Sequence, residues 1–265
     1  ALTWRWSFVL PIALVLVAAV MSLRFVPNSV EGRDHPFDTV GSILSAIAIG
    51  GIVLGIHEGP ERGWSDPLTV TGLVAGTLAL VTFVVWERRR PEPLLDISVF
   101  RDRGLSSGSL TLMVVFAVMF GTFLVLFPFL QVVLGWSALQ SAAGLLPVAG
   151  AMMPVSTVAP RVAVRYGSRN TMITGLVIFS TGLVILALSA SVEGGYLSIL
   201  PGLLVLGLGM GLTMTPATAA ITETLPADKQ GVASALNDTT REVGGAVGVA
   251  LLGSILTAGY RAGIE

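Results

Sequence analysis

Residues 105–131 read LSSGSLTLMVVFAVMFGTFLVLFPFLQ, an unbroken stretch with no acidic or basic side chain. A helix rises about 1.5 Å per residue and needs about 20 apolar residues to cross roughly 30 Å of hydrocarbon. This stretch is long enough for one crossing. Its polar residues do not alternate with its apolar ones, so it is not a strand of a membrane barrel. Lipid offers no partner for free backbone groups, and a helix, which satisfies them internally, is what remains. Seven more stretches behave the same way, near 6–26, 38–57, 68–86, 138–159, 171–191, 196–220 and 229–258. The expected fold is all-α, a polytopic membrane bundle of about eight helices.

Composition agrees. Of 265 residues, 53% are hydrophobic and 12% charged, against about a quarter charged in soluble domains. Mean hydropathy is +0.84. A net charge of −1 gives no ground for a nucleic-acid partner. With no cysteine, neither a disulfide framework nor a thiolate metal site is available. The two histidines, His35 and His57, have no companion at ligand spacing and read as solvated span ends. No hydrolase, zinc-protease, phosphate-loop or aspartate-rich motif occurs, so neither an enzyme nor a cofactor is expected. The chain starts at Ala1 and enters an apolar run by Trp6 with no charged n-region or cleavage site. No signal peptide is expected, and the start reads as a cut.

Positive charge sets an expected orientation. If the first span ends in the cytoplasm, that side holds Arg24, Arg33, Arg88, Arg89, Arg90, Arg101, Arg103, Arg161, Arg165, Arg169 and Lys229. The other side holds Arg5, Arg62 and Arg261, and Arg241 lies inside the last span. The split is eleven to three. The charged segment WERRRPEPLLDISVFRDR, from Trp86 to Arg103, reads as a solvated connection between three helices and five. Glu58 to Pro67 reads as a polar turn, and APRVAVRYGSR, 159–169, as a short basic loop.

Candidate functional residues are few. Gly51–Gly55, Gly72–Gly76, Gly207–Gly211 and Gly244–Gly248 have the spacing that lets helix backbones approach. Gly202, Gly207, Gly209 and Gly211, followed by Pro216, mark either a tightly packed helix or one that flexes beside a substrate path. In the last span Asn237 and Arg241 share a stripe with Gly244 and Gly248. Asp238 stands three before Arg241, a spacing that suits a local ion pair, and Glu242 follows. These charges are either a snorkelling interfacial cluster or a gating and coupling element. Gln131 and Phe127, beside Pro128, face a cavity or the interface. Met119, Met210 and Met214 serve packing, or an adaptable surface for apolar ligands.

Several segments in order carry a family likeness: Trp4-Arg5-Trp6, Pro128–Gln131 with Gly135-Trp136-Ser137, RVAVRYGSR, GLGMGLTMTP and KQGVASALNDTTREVGGAVG. Together they resemble the major facilitator superfamily, specifically its fourteen-span drug:proton antiporter branch. That resemblance implies three parts. Residues 1–26 would be the last helix of a first half-bundle, 27–104 two extra linker helices with a cytoplasmic connection, and 105–265 a second half-bundle lacking its final helix. Five earlier helices would be missing as well. It implies a secondary active transporter in a bacterial inner membrane, exporting drugs or other apolar or cationic small molecules against protons. Its partners would be the lipid bilayer, the missing helices, protons and the substrate. Arg165, Gly167 and Arg169 match the family's basic gating loop, but Val164 stands where the better-kept copy has Asp. The Trp-Arg-Trp segment is also two residues short of its proline, and the Asn often found before that proline is absent at Leu10. The buried acid and arginine that the family's first half contributes are not in this chain. Rival readings are export of an endogenous lipid or secondary metabolite, a membrane-embedded enzyme, and a remnant that transports nothing.

Overall fold

Short acidic and hydroxyl side chains start several of the helices. Asp38 accepts the backbone N–H of Gly41, Asp66 that of Leu68, and Asp102 that of Leu105. Ser137 and Gln140 cap each other reciprocally. Each of these satisfies donors that a helix start leaves open. The computed structural model describes residues 9–25, 38–90, 95, 97–226 and 230–262. Its helices are α1 (Val9–Phe25), α2 (Thr39–Arg62), α3 (Pro67–Glu87), α4 (Arg103–Pro128), α5 (Ala138–Ala143), α6 (Leu146–Tyr166), α7 (Ser168–Ser189), α8 (Gly195–Thr222) and α9 (Gln230–Ala262). A 3₁₀ turn covers Ile97–Arg101, and a π-helical turn, Phe129–Val133, extends α4 past Pro128. The chain divides into residues 1–36, which contain α1, and residues 37–265.

Among the described residues, six helical segments are long and apolar enough to cross a membrane: Thr39–Pro60, Pro67–Glu87, Arg103–Val133, Ala138–Tyr166, Ser168–Ser189 and Gly195–Thr222. This is a multi-pass, all-α membrane bundle. The eight expected spans all appear as helices, yet two fall outside that set. The described part of α1 has 17 residues, and the 33-residue α9 carries Asp238, Arg241 and Glu242 in its first half, followed by an uncharged stretch from Val243 to Tyr260.

Three segments read as loops are helical or ordered. α2 runs on through Glu58 and Pro60 to Arg62, with Glu58 and Arg62 paired one turn apart. Residues 159–166 belong to α6, which ends only where Gly167 takes φ +85°. That value favours glycine over any residue with a Cβ, and α7 starts at the next residue. The charged stretch after α3 is not simply solvated, because its first residues fold back on α2: Trp86 Nε1 donates to Asp38 at 3.0 Å and Arg90 Nη2 at 3.3 Å.

Within residues 37–265, α2 and α3 form an antiparallel hairpin, and α2 also packs on α9. The buried face of α3 is one stripe, Thr69, Gly72, Gly76, Ala79, Phe83 and Glu87. The aqueous hydrophobic effect does not hold helices together in lipid, so close backbone packing carries the association. A Cβ on Gly51 would lie 2.8 Å from Gly76 Cα, and one on Gly72 would lie 3.0 Å from Gly51 O.

α8 is the centre of the rest, touching α7, α6, α4 and α9. Its glycines serve two neighbours. Gly202 and Gly209 meet α7 at Leu186 and Phe179, while Gly207 and Gly211 meet α6 at Val148 and Met152. All four are buried, and α8 continues through Pro216 without a break, so the glycine run works here as a packing surface. α4 and α9 lie side by side and parallel, Gly244 against Met113 and Gly248 against Ala117. The main core joins Val115, Leu130, Phe179, Leu203, Leu206 and Met210. A smaller core joins Leu112, Met172, Ala217 and Ile221.

Candidate functional site

Where α4, α8 and α9 meet, the apolar packing is interrupted by polar groups. Gly244 and Gly248 bring the α9 backbone against α4, and that closeness turns the preceding residues of the same stripe, Asn237 and Arg241, toward α4 and α8. Arg241 Nη2 donates to Thr218 Oγ1 at 3.2 Å, and its Cζ lies 5.2 Å from the centre of the Phe116 ring, inside cation–π range. Its Nε is buried with no hydrogen-bond partner. Asn237 is 8% exposed. Its Nδ2 donates to Asp238 Oδ1 at 3.3 Å, and its Oδ1 is buried without a donor. Thr240, between them, donates back to Leu236 O at 2.7 Å.

The expected Asp238–Arg241 ion pair does not form. Asp238 is exposed, as is Glu242. Arg241 instead points across to Thr218. Among the described residues the ion pairs are Arg62–Glu58 and Arg90–Asp38.

The other predicted residues scatter. Met210 is core, 4% exposed, while Met119 and Met214 are partly buried at its edge, Met214 touching both clusters. Phe127 meets Phe123 edge to face, with centroids 6.4 Å apart. Gln131 sits in the π-helical turn and is exposed. Arg165, Gly167 and Arg169 form the exposed tip between α6 and α7. There Asn170 Nδ2 donates to Tyr166 O at 3.0 Å, and Arg165 lies 5.4 Å from the Tyr166 ring centre. Val164 is 91% exposed. Trp4-Arg5-Trp6, Arg33, His35, Asp228 and Lys229 lie outside the described residues.

The sequence reading missed the partners of Arg241. Phe116 and Thr218 are ordinary residues of apolar helices, and only their place opposite Arg241 distinguishes them. It also missed a second polar cluster, at the start of α2. Asp38 is 5% exposed and Glu87 2%. The Gly41 N–H above all, then Trp86 and Arg90, hold the Asp38 carboxyl below its usual range against the opposing effect of burial. Glu87 Oε2 accepts the Leu95 N–H at 3.3 Å. A Cβ at Gly41 would stand 2.5 Å from Glu87 Oε1 and 2.7 Å from Asp38 Oδ2, so the glycine makes room for both acids. The signal was present in Asp38-Thr39-Val40-Gly41, an acid set directly before an apolar run.

Comparison with known proteins places this architecture. The sequence profile described as Major Facilitator Superfamily matches residues 1–249. The multidrug resistance protein Stp of Mycobacterium tuberculosis is 31% identical over 99% of this chain and 49% of its own length. The multidrug efflux pump LfrA of Mycolicibacterium smegmatis is 31% identical over 99% of this chain and 52% of its own. The puromycin resistance protein pur8 of Streptomyces alboniger is 33% identical over 97% of this chain and 51% of its own. The chain thus spans about half the length of these curated relatives. A profile that covers nearly the whole chain, on a bundle of membrane-length helices, decides the assignment: the chain belongs to the major facilitator superfamily.

Proposed function

We propose that the chain forms one half of a secondary active exporter of drug-like small molecules, in the fourteen-span branch and driven by protons. α2 and α3 are its linker pair, α4 to α9 belong to its second half-bundle, and the cytoplasmic membrane of a bacterium is its site. The observation that carries this reading is the polar pair Asn237 and Arg241, set into an otherwise apolar contact of three membrane helices. Polar groups at such places are costly and are kept where a transported molecule or ion is handled. The relatives named for multidrug resistance and efflux support the substrate class. In cells expressing the intact transporter, Arg241→Ala and Asn237→Ala are expected to abolish energy-dependent efflux of a lipophilic dye while membrane expression stays normal. Normal efflux from both variants would reduce the pair to packing.

A second reading is narrower: export of one secondary metabolite. It draws on pur8, a relative named for resistance to a single antibiotic. A panel of unrelated compounds, with efflux of only one, separates it from the first.

A further inference from the structure

Among the described residues, the contact of α4, α8 and α9 holds a positive charge without a negative one. α4 has no acidic or basic side chain from Gly104 to Pro128, and α8 has none from Gly195 to Thr222. The two acids of α9 nearest Arg241, Asp238 and Glu242, are exposed, and among the described residues neither pairs with it. Asp38, at the start of the packed α2, is already held by Arg90. Arg241 is left with a hydroxyl on Nη2, an aromatic ring beside its guanidinium, and a buried Nε with nothing to donate to. One turn before it, the buried Asn237 Oδ1 has no donor. Arg241 is partly buried, and its Nε, shut off from water, is a donor whose lost water no protein acceptor replaces, at a cost to the fold. A group retained under that cost needs an acceptor.

We propose that Asn237, Arg241 and Thr218 form a binding site for the carboxylate of a small amphipathic molecule. Nε and Nη2 make up one edge of the guanidinium fork, the edge that takes a carboxylate through two parallel hydrogen bonds. Thr218 Oγ1 sits at that edge, and Asn237 Oδ1 accepts an N–H or O–H of the same ligand. The surrounding surface suits an apolar body: Phe116 lies beside the guanidinium, and Phe116 and Met214 line the smaller core nearby. The inference rests on the exporter reading for its place in transport, but the site itself is defined by binding. It narrows the substrate class, since an uncompensated arginine repels the cations that a buried acid would attract.

The test uses this chain in phosphatidylcholine nanodiscs and three probes of one shape. They are pyrenebutyrate, its methyl ester and a pyrenebutyl trimethylammonium, each measured by fluorescence and corrected for uptake by empty discs. Wild type is expected to bind the carboxylate about tenfold more tightly than the ester, and the cation least. Arg241→Gln should erase the preference for the carboxylate and leave ester binding unchanged. Thr218→Val, which keeps the charge and the fold, should weaken it. Equal binding of carboxylate and ester by wild type, or a preference that survives in Arg241→Gln, overturns the proposal. Equal binding is also the result if a carboxylate of another helix occupies Arg241. Loss of dye efflux in Arg241→Ala cells with no carboxylate preference in discs sinks this inference and leaves the exporter. A carboxylate preference without efflux does the reverse.

Discussion

Asp38 gathers three donors on one carboxylate: the N–H of Gly41 at 2.9 Å, the Trp86 indole at 3.0 Å and the Arg90 guanidinium at 3.3 Å. Arg90 also lies 5.1 Å from the Trp86 ring centre. The cluster ties the start of α2 to the end of α3. The Gly41 N–H, followed by Trp86 and Arg90, outweighs burial and depresses the pKa. A depressed folded-state value contributes stability above the unfolded pKa of about 3.9 and loses it as pH falls through the lower folded value. The tie is therefore expected to hold unchanged from about pH 5 to pH 8. Asp38→Ala strands buried donors and should cost about 1–3 kcal/mol across that window. Amide hydrogen exchange over residues 39–45 reads it, and exchange equal to wild type refutes the tie. At this scale the sequence displayed the acid and the glycine but not their meeting with Trp86 and Arg90, 48 and 52 residues away.

Helix pairing depends on where glycines fall along an element. All four glycine pairs marked by spacing lie at helix contacts: Gly51–Gly55 and Gly72–Gly76 within the hairpin, Gly207–Gly211 against α6, and Gly244–Gly248 against α4. A Cβ on Gly248 collides with the Ala117 carbonyl, whereas one on Gly50 meets nothing within 4 Å. Gly248→Ala should push α4 and α9 apart and cost about 1–3 kcal/mol, and Gly50→Ala should cost little. Thermal unfolding in detergent, with a spin-label distance between the two helices, checks both; equal melting of the two variants would contradict the contact. Spacing made these pairs visible, but not their partners. Basic composition misled at 159–169, where α6 runs on through Pro160 to Tyr166 and ends only as Gly167 reverses φ.

For the whole molecule, the eleven-to-three charge split gives an orientation to test. The chain has no cysteine, and Ser65, Ser98 and Ser168 are exposed, so single cysteines placed there report the sides directly. In intact cells an impermeant thiol reagent should label Ser65→Cys and spare Ser98→Cys and Ser168→Cys; the opposite pattern inverts the bundle. Apolar length and the lack of alternation determined that the chain crosses the membrane as helices, because lipid leaves backbone groups no other partner. The segments shared with the superfamily fixed the family in the same linear way. Tertiary structure alone decided the rest: that α8 is central, that α9 lies against α4, and that Arg241 meets Thr218 and Phe116 rather than Asp238. The physical reason is the range of each effect. Solvent preference and local backbone chemistry act along the chain, whereas the partner of a buried charge is set by which helices the packing brings together.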